Sequence, residues 1–162
     1  MPSDANGEYL AVRVQVSWGD CDPAGIVFYP QFYMWMDRAS HVLAREMGIP
    51  REAMLPPRTD LVGFPIVGAQ AQFAVPARMD DVLEIRTRVA RIGRTSLSLR
   101  HEVVRLEPDG AETRIATGRE DRVFIAQGPD GMQPRELTPS MRDVLRRFHY
   151  AEPDETDGLQ RS

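Results

Sequence analysis

The apolar residues of this chain change period at Pro30, and that change restricts the fold to a helix laid against a sheet. Before it, Val12, Val14, Val16 and Trp18 alternate with Arg13, Gln15 and Ser17, the two-residue period of a half-buried strand over residues 11–18. After it, Phe32, Trp35, Met36, Ala39, Val42, Leu43 and Met47 recur every three or four residues, the stripe of one buried helix face. Pro30 suits the first helical position, where a missing N–H costs nothing, and Gly48 supplies a stop. A helix of about residues 30–47 therefore opens with its positive pole toward the acidic loop Trp18-Gly19-Asp20-Cys21-Asp22-Pro23-Ala24-Gly25-Ile26-Val27-Phe28-Tyr29. That sets a carboxylate beside backbone N–H donors, at a pole that attracts anions and polarised carbonyls.

Period two returns beyond the helix. A proline-rich connection over residues 49–57 leads to a strand from Ile66 to Val75, with Val67, Ala69, Ala71, Phe73 and Val75 on one face and Pro76 at its end. Asp80-Asp81 opens a run containing Leu83, Ile85, Thr87 and Val89. Gly93 breaks it before Leu97, Leu99, His101 and Val103 take up the alternation again. Pro108-Asp109-Gly110 is a turn, and Glu112 to Ala126 reads as the last strand. Met141, Val144, Leu145 and Phe148 stripe a short helix from Pro139 to Phe148. The expectation is an α+β domain over residues 1–150, a long helix on a curved antiparallel sheet of about five strands. Residues 151–162 read as a polar, disordered tail. The sheet's second face and its edges leave apolar surface to cover, so self-association is expected.

Composition narrows the function classes. With 42% hydrophobic residues among 162, the chain can bury a core without disulfides, and its single cysteine, Cys21, excludes an internal one. Cys21 reads as a packing residue rather than a nucleophile. Three scattered histidines (His41, His101 and His149) form no spaced ligand set, so neither a metal nor another cofactor is expected. The first ten residues lack a basic-then-apolar leader, and no apolar run approaches the roughly 18 residues needed to span a bilayer. A cytoplasmic protein without membrane contact is the expectation. A net charge of −4 argues against nucleic acid as a partner. Charge is uneven, however: from Arg86 to Arg105 six arginines meet one acidic residue, Glu102, a stretch that either holds phosphates or solvates two strand faces.

The run Gly19-Asp20-Cys21-Asp22-Pro23-Ala24-Gly25-Ile26-Val27-Phe28-Tyr29-Pro30, followed by Trp35, Asp37 and Ala39, closely resembles the 4-hydroxybenzoyl-CoA thioesterase family of hotdog-fold enzymes. Gly63-Phe64-Pro65-Ile66-Val67, Asp80-Asp81-Val82-Leu83 and Arg122-Val123-Phe124 extend the similarity more loosely, over roughly residues 10–126. The resemblance implies hydrolysis of an acyl-CoA thioester by a homo-oligomer, a dimer or a homotetramer, whose active site lies between subunits. It puts the catalytic carboxylate at Asp22 and the carbonyl-polarising backbone N–H at Tyr29. Relatives serving short aliphatic acyl groups often have histidine at the position of Tyr29, so its absence favours aromatic acyl-CoA. The resemblance also implies an acyl-pocket residue at Asp37 and contacts to the CoA phosphates from Arg91 and Arg94. Gly93 and Thr95 stand where a relative has further basic side chains, which thins that clamp.

The chemistry suits these residues. A thiol leaves readily, with an unperturbed pKa near roughly 8.5, so no strong general acid is needed and the lack of a Ser-His-Asp set is no objection. Asp22 can serve as nucleophile or as general base toward water. Taken alone, Asp22-Pro23 also reads as an Asx turn or helix cap, and Asp20 is the rival carboxylate. Asp37 reads either as an acceptor for a ring hydroxyl or as an exposed helix residue paired with His41. Phe28, Phe32, Phe64 and Pro65, with Tyr29, line an aromatic-tolerant pocket or pack the core. The alternatives to an aromatic acyl-CoA thioesterase are a short- or medium-chain acyl-CoA or acyl-carrier-protein thioesterase and a non-catalytic CoA-ester binding protein.

Overall fold

A computed structural model describes residues 8–56 and 60–151. The tail expected from residue 151 lies, from residue 152 on, outside the described residues, as do residues 1–7 and Pro57 of the proline-rich connection. The strands are β1 (Leu10–Gln15), β2 (Val62–Gly63), β3 (Ile66–Phe73), β4 (Val82–Ile92), β5 (Ser96–Leu106), β6 (Glu112–Val123), β7 (Ile125–Gly128) and β8 (Gly131–Pro134). The helices are α1 (Pro30–Glu46) and α2 (Pro139–Arg147), and short 3-10 turns cover Trp18–Asp20 and Arg51–Met54. An antiparallel sheet of order β1-β4-β5-β6-β3 carries α1 on one face, the α+β arrangement expected from the alternating runs. No helix among the described residues is long and apolar enough to cross a membrane.

Three expectations need correction. Trp18 does not continue the buried face of the first strand: β1 ends at Gln15, and Trp18 sits in the 3-10 turn, 82% exposed. The last strand does not run unbroken to Ala126. At Phe124 the backbone leaves the main sheet, its N–H donating to Thr95 O and its carbonyl accepting from Arg135 N. Ile125 then begins a second, three-stranded sheet of order β2-β7-β8. Val67 does not share the register of Ala69, Ala71 and Phe73, because a bulge between Ile66 and Gly68 leaves it without a cross-strand partner.

The core divides in two. Phe32, Trp35, Met36 and Ala39 of α1 pack on Leu83, Ile85, Val103, Ile115 and Ala116 of the sheet. Farther along α1, Leu43, Ala44 and Met47 join Val89, Leu97, Leu99 and Phe124 with Met141, Leu145 and Phe148 from α2 and its end. Each fully buried aliphatic side chain contributes roughly 1.5–3 kcal/mol, so both halves hold the helix down. Gly118 lets α1 approach β6: a Cβ there would overlap the Met36 Sδ. Between the halves, four elements carry buried polar side chains: Ser40 on α1, Thr87 on β4, His101 on β5, and Glu120 and Arg122 on β6. The β3 edge is the opposite case. Only its Gly68 and Ala71 are partly covered, while Ile66, Val67 and Phe73 are exposed.

Candidate active site

The acidic loop is built by its own backbone. Asp20 is committed to it: one carboxylate oxygen, Oδ2, accepts from Ser17 N at 2.8 Å and Ser17 Oγ at 2.7 Å, and its carbonyl accepts from Phe28 N at 2.8 Å. Cys21 and Val27 form an isolated antiparallel bridge, Asp22 N donates to Ile26 O at 2.9 Å, and Val27 N donates to Ala77 O at 2.8 Å. The turn inside this bridge closes with Gly25 N on Asp22 O at 2.9 Å, and Gly25 takes the left-handed φ of 76° that glycine tolerates without a Cβ penalty. Asp22 Oδ1 accepts from Ala24 N at 2.8 Å, which is the Asx turn. That bond orients the carboxylate and leaves Oδ2 without a partner among the described residues. Asp22 is half-buried, at the base of the loop rather than at its tip.

The loop delivers the chain to α1 so that one amide stays uncommitted. Phe28 N donates to Asp20 O, Gln31 N to Phe28 O and Phe32 N to Tyr29 O, and Pro30 has no N–H. The Tyr29 N–H is left with no acceptor among the described residues. It lies where the dipole of a 17-residue helix is positive, the arrangement that stabilises an oxygen gaining negative charge.

The aromatic residues divide. Phe32 and Phe64 are core side chains, 4% and 8% exposed, with Phe64 stacked on Phe124 at a centroid distance of 5.0 Å. Phe28 and Tyr29 are 49% and 59% exposed, and Pro65 is exposed as well. Phe28 meets Tyr29 edge-on at 5.4 Å, Tyr29 meets the β3 residue Phe73 at 6.5 Å, and Phe73 meets Phe32 at 5.3 Å. An apolar patch thus runs from the mouth of α1 to the β3 edge.

Arg91 and Arg94 flank the β4–β5 turn, which closes through Gly93 N on Ser96 O at 2.7 Å. Arg91 is exposed and donates to Ser98 Oγ at 3.3 Å and Ser96 Oγ at 3.2 Å. Arg94 pairs with Glu136 at 2.7 Å, both side chains being largely exposed. Arg142 of α2 braces the turn by donating to the carbonyls of Gly93 and Arg94.

Asp37 is not the freely exposed residue that sequence alone allows. Its Oδ1 accepts from Arg122 Nη2 at 2.6 Å, and Oδ2 lies 3.4 Å from His41 Nδ1, which is itself 2.8 Å from the Asp37 carbonyl oxygen. Through Arg122 it joins the polar seam of the core, which sequence reasoning missed. Arg122 also donates from Nη1 to Phe64 O at 2.8 Å and from Nε to Glu120 Oε2 at 2.8 Å. Glu120 Oε2 accepts from Ser40 Oγ at 2.5 Å. His101 Nδ1 is 2.9 Å from Thr87 Oγ1, and its Nε2 is 3.5 Å from Glu120 Oε2, within ion-pair range but without hydrogen-bond geometry. Burial alone would raise the Glu120 carboxyl, but the adjacent His101 and Arg122 override it and hold the group at about 2. The available signal was polar residues at inward positions: Thr87 between Ile85 and Val89, and His101 between Leu99 and Val103.

Among the described residues no three His, Cys, Asp or Glu side chains gather as a metal site. Residues 24–112 match the family model of the thioesterase superfamily. The chain is 36% identical to the 4-hydroxybenzoyl-CoA thioesterase of Pseudomonas sp. (strain CBS-3) over 128 residues, 79% of this chain and 91% of that protein. It is 28% identical, over 79% of this chain and 89% of the relative, to an acyl-CoA thioester hydrolase of Escherichia coli O157:H7. Among solved structures, an aspartate-to-asparagine variant of 4-hydroxybenzoyl CoA thioesterase complexed with 4-hydroxybenzoyl CoA superposes with a TM-score of 0.74 at 31% identity, covering 85% of this chain and 99% of that one. A gentisyl-coenzyme A thioesterase superposes with a TM-score of 0.68 at 34% identity, covering 83% and 98%. The chain belongs to the thioesterase superfamily, and it is a thioester hydrolase with the hotdog fold.

Proposed function

We propose that the protein hydrolyses aromatic, hydroxybenzoyl-type acyl-CoA thioesters, with Asp22 as the reacting carboxylate and the Tyr29 N–H as the group that polarises the carbonyl. One observation carries this reading: the only amide at the mouth of α1 that could bond yet has no acceptor among the described residues follows a loop whose oriented carboxylate keeps one oxygen uncommitted. Asp22 attacks the carbonyl carbon, or takes a proton from water that does so. The oxygen gains charge against the Tyr29 N–H and the C–S bond breaks; on the first path water then hydrolyses the acyl–Asp22 anhydride, and on either path the thiolate takes up the proton that water gives, so that CoA thiol and free carboxylate leave and Asp22 is restored. One such donor is typically worth about 2.7–4 kcal/mol in the transition state.

The remaining assignments belong to the same reading. Phe28, Phe32, Phe64 and Pro65 shape the acyl pocket, the two buried rings backing the exposed groups, and Asp37 accepts a hydrogen bond from a ring hydroxyl. Arg91 and Arg94 meet the CoA phosphates. Exposed ion pairs are worth only about 0–1 kcal/mol, so Arg94 exchanges Glu136 for phosphate at little cost. The exposed edge formed by Ile66, Val67 and Phe73, continuous with Phe28 and Tyr29, supports a homo-oligomer, dimer or tetramer, with the site at the seam. No metal or organic cofactor takes part, and the setting is cytoplasmic. The test is release of free thiol across benzoyl-, hydroxybenzoyl-, phenylacetyl- and straight-chain CoA esters. Highest kcat/KM on a hydroxybenzoyl ester is expected; preference for straight chains, or binding without thiol release, would overturn the proposal.

A further inference from the structure

We propose that Arg122 is a positioning residue for acyl specificity: held by Glu120 inside the core, it fixes the Asp37 carboxylate against the Phe64 backbone so that the site distinguishes a ring hydroxyl from a bare ring. The inference rests on the reading of Asp37 as the hydroxyl acceptor and adds the device that makes that acceptor selective.

A carboxylate on a helix surface samples several rotamers and adapts to whatever ring lies beside it. Asp37 has little such freedom, because its Oδ1 is bound at 2.6 Å by a guanidinium whose side chain is only 5% exposed. That guanidinium is planar, and its three directions are occupied by partners on three separate elements: Glu120 on β6, the Phe64 carbonyl at the entry to β3, and Asp37 on α1. Ser40, one turn beyond Asp37 on the same helix, clamps the same Glu120 oxygen and closes the circuit back to α1. The spacing between Asp37 and the Phe64-Pro65 segment is thus set by one buried side chain rather than by loop packing. Asp37 Oδ2, on a side chain 43% exposed, has only His41 at 3.4 Å and is the acceptor left for a ligand. A hydroxylated ring satisfies it. An unsubstituted ring covers it and leaves a desolvated carboxylate oxygen without a donor, the situation in which hydrogen-bonding sites reject analogues most strongly.

The experiment measures kcat/KM for 4-hydroxybenzoyl-CoA and benzoyl-CoA, and the melting temperature, in the wild type, Asp37→Ala, Arg122→Lys and the double variant Glu120→Gln with Arg122→Met. Lysine keeps the charge but cannot hold three acceptors in one plane, and the double variant removes the buried pair together, so neither leaves a lone buried charge. The hydroxybenzoyl-to-benzoyl ratio is expected to fall about tenfold or more in all three, the loss of one charge-assisted hydrogen bond. A merely structural Arg122 would lower both rates together and leave the ratio unchanged. A ratio that collapses in Asp37→Ala but survives in both Arg122 variants overturns this inference and leaves the Asp37 reading standing. A ratio untouched by Asp37→Ala, or near one in the wild type, overturns the reading and the inference together.

Discussion

Replacing Glu120 by glutamine tests the polar seam through a pH signature that few other mechanisms produce. Glutamine keeps the shape and mimics the protonated acid, so the variant lacks only what the charge contributes. The carboxyl is held at about 2 against an ordinary value of 4.5. A carboxylate whose folded value is depressed adds stability in full above its unfolded value and loses it as pH falls through the folded one. At about 1.4 kcal/mol per pH unit, the drop from 4.5 to about 2 corresponds to about 3 kcal/mol at neutral pH. That lies at the low end of the roughly 3–5 kcal/mol expected for breaking a buried pair. For a chain of this size it lowers the melting temperature by about 6–12 °C. Urea denaturation of both proteins between pH 7 and pH 3 is the assay. The difference between them is expected to be near 3 kcal/mol from pH 7 to about pH 5, to shrink to about half by pH 3, and to close toward pH 2. A difference that is absent at pH 7, or constant down to pH 3, would refute the reasoning.

Three further outcomes follow from particular contacts. Gly118→Ala places a Cβ against Met36 Sδ and Cε; a loss of about 1–3 kcal/mol is expected in denaturant titrations, and a double-mutant cycle with Met36→Ala should show the two losses to be less than additive. Thr138→Ala removes the hydroxyl that accepts from Met141 N at 3.2 Å at the start of α2, and thermal melts should show a loss of about 1 kcal/mol. Val67→Lys sets a charge on the bulged, 66% exposed position of the β3 edge; sedimentation at micromolar protein should show a smaller assembly, and an unchanged mass would exclude that edge from the subunit contact.

Most of the fold follows from local signals that this chain states strongly. The period change at Pro30 marks α1 to within a residue, since the structure ends it at Glu46 and places Met47 and Gly48 in the terminating turn. α2 is found by its stripe, and the Pro108–Gly110 turn separates β5 from β6 as read. What escaped was long-range. The run Val123-Phe124-Ile125-Ala126 is apolar throughout, so nothing local marks Phe124 as the point where the chain changes sheets. That break is made by Thr95 and Arg135, distant in sequence. Trp18 continued an alternation whose strand ends when Asp20 captures Ser17. At the site, the Asp22 loop and the mouth of α1 lie within one continuous motif and were legible together. The seam was not, because Ser40, Thr87, His101, Glu120 and Arg122 are gathered from four elements. Only their polarity at inward positions hinted at it.

The role of Asp22 as the reacting carboxylate is tested by a single-turnover measurement with Asp22→Asn on the hydroxylated aryl-CoA ester. Asparagine can keep the Oδ1 turn to Ala24 N while removing the reacting oxygen's charge and basicity. Ester binding within a few-fold of wild type, an unchanged melting temperature, and thiol release slowed by at least about a thousandfold are expected. Release at a rate comparable to wild type would mean that another group does the chemistry.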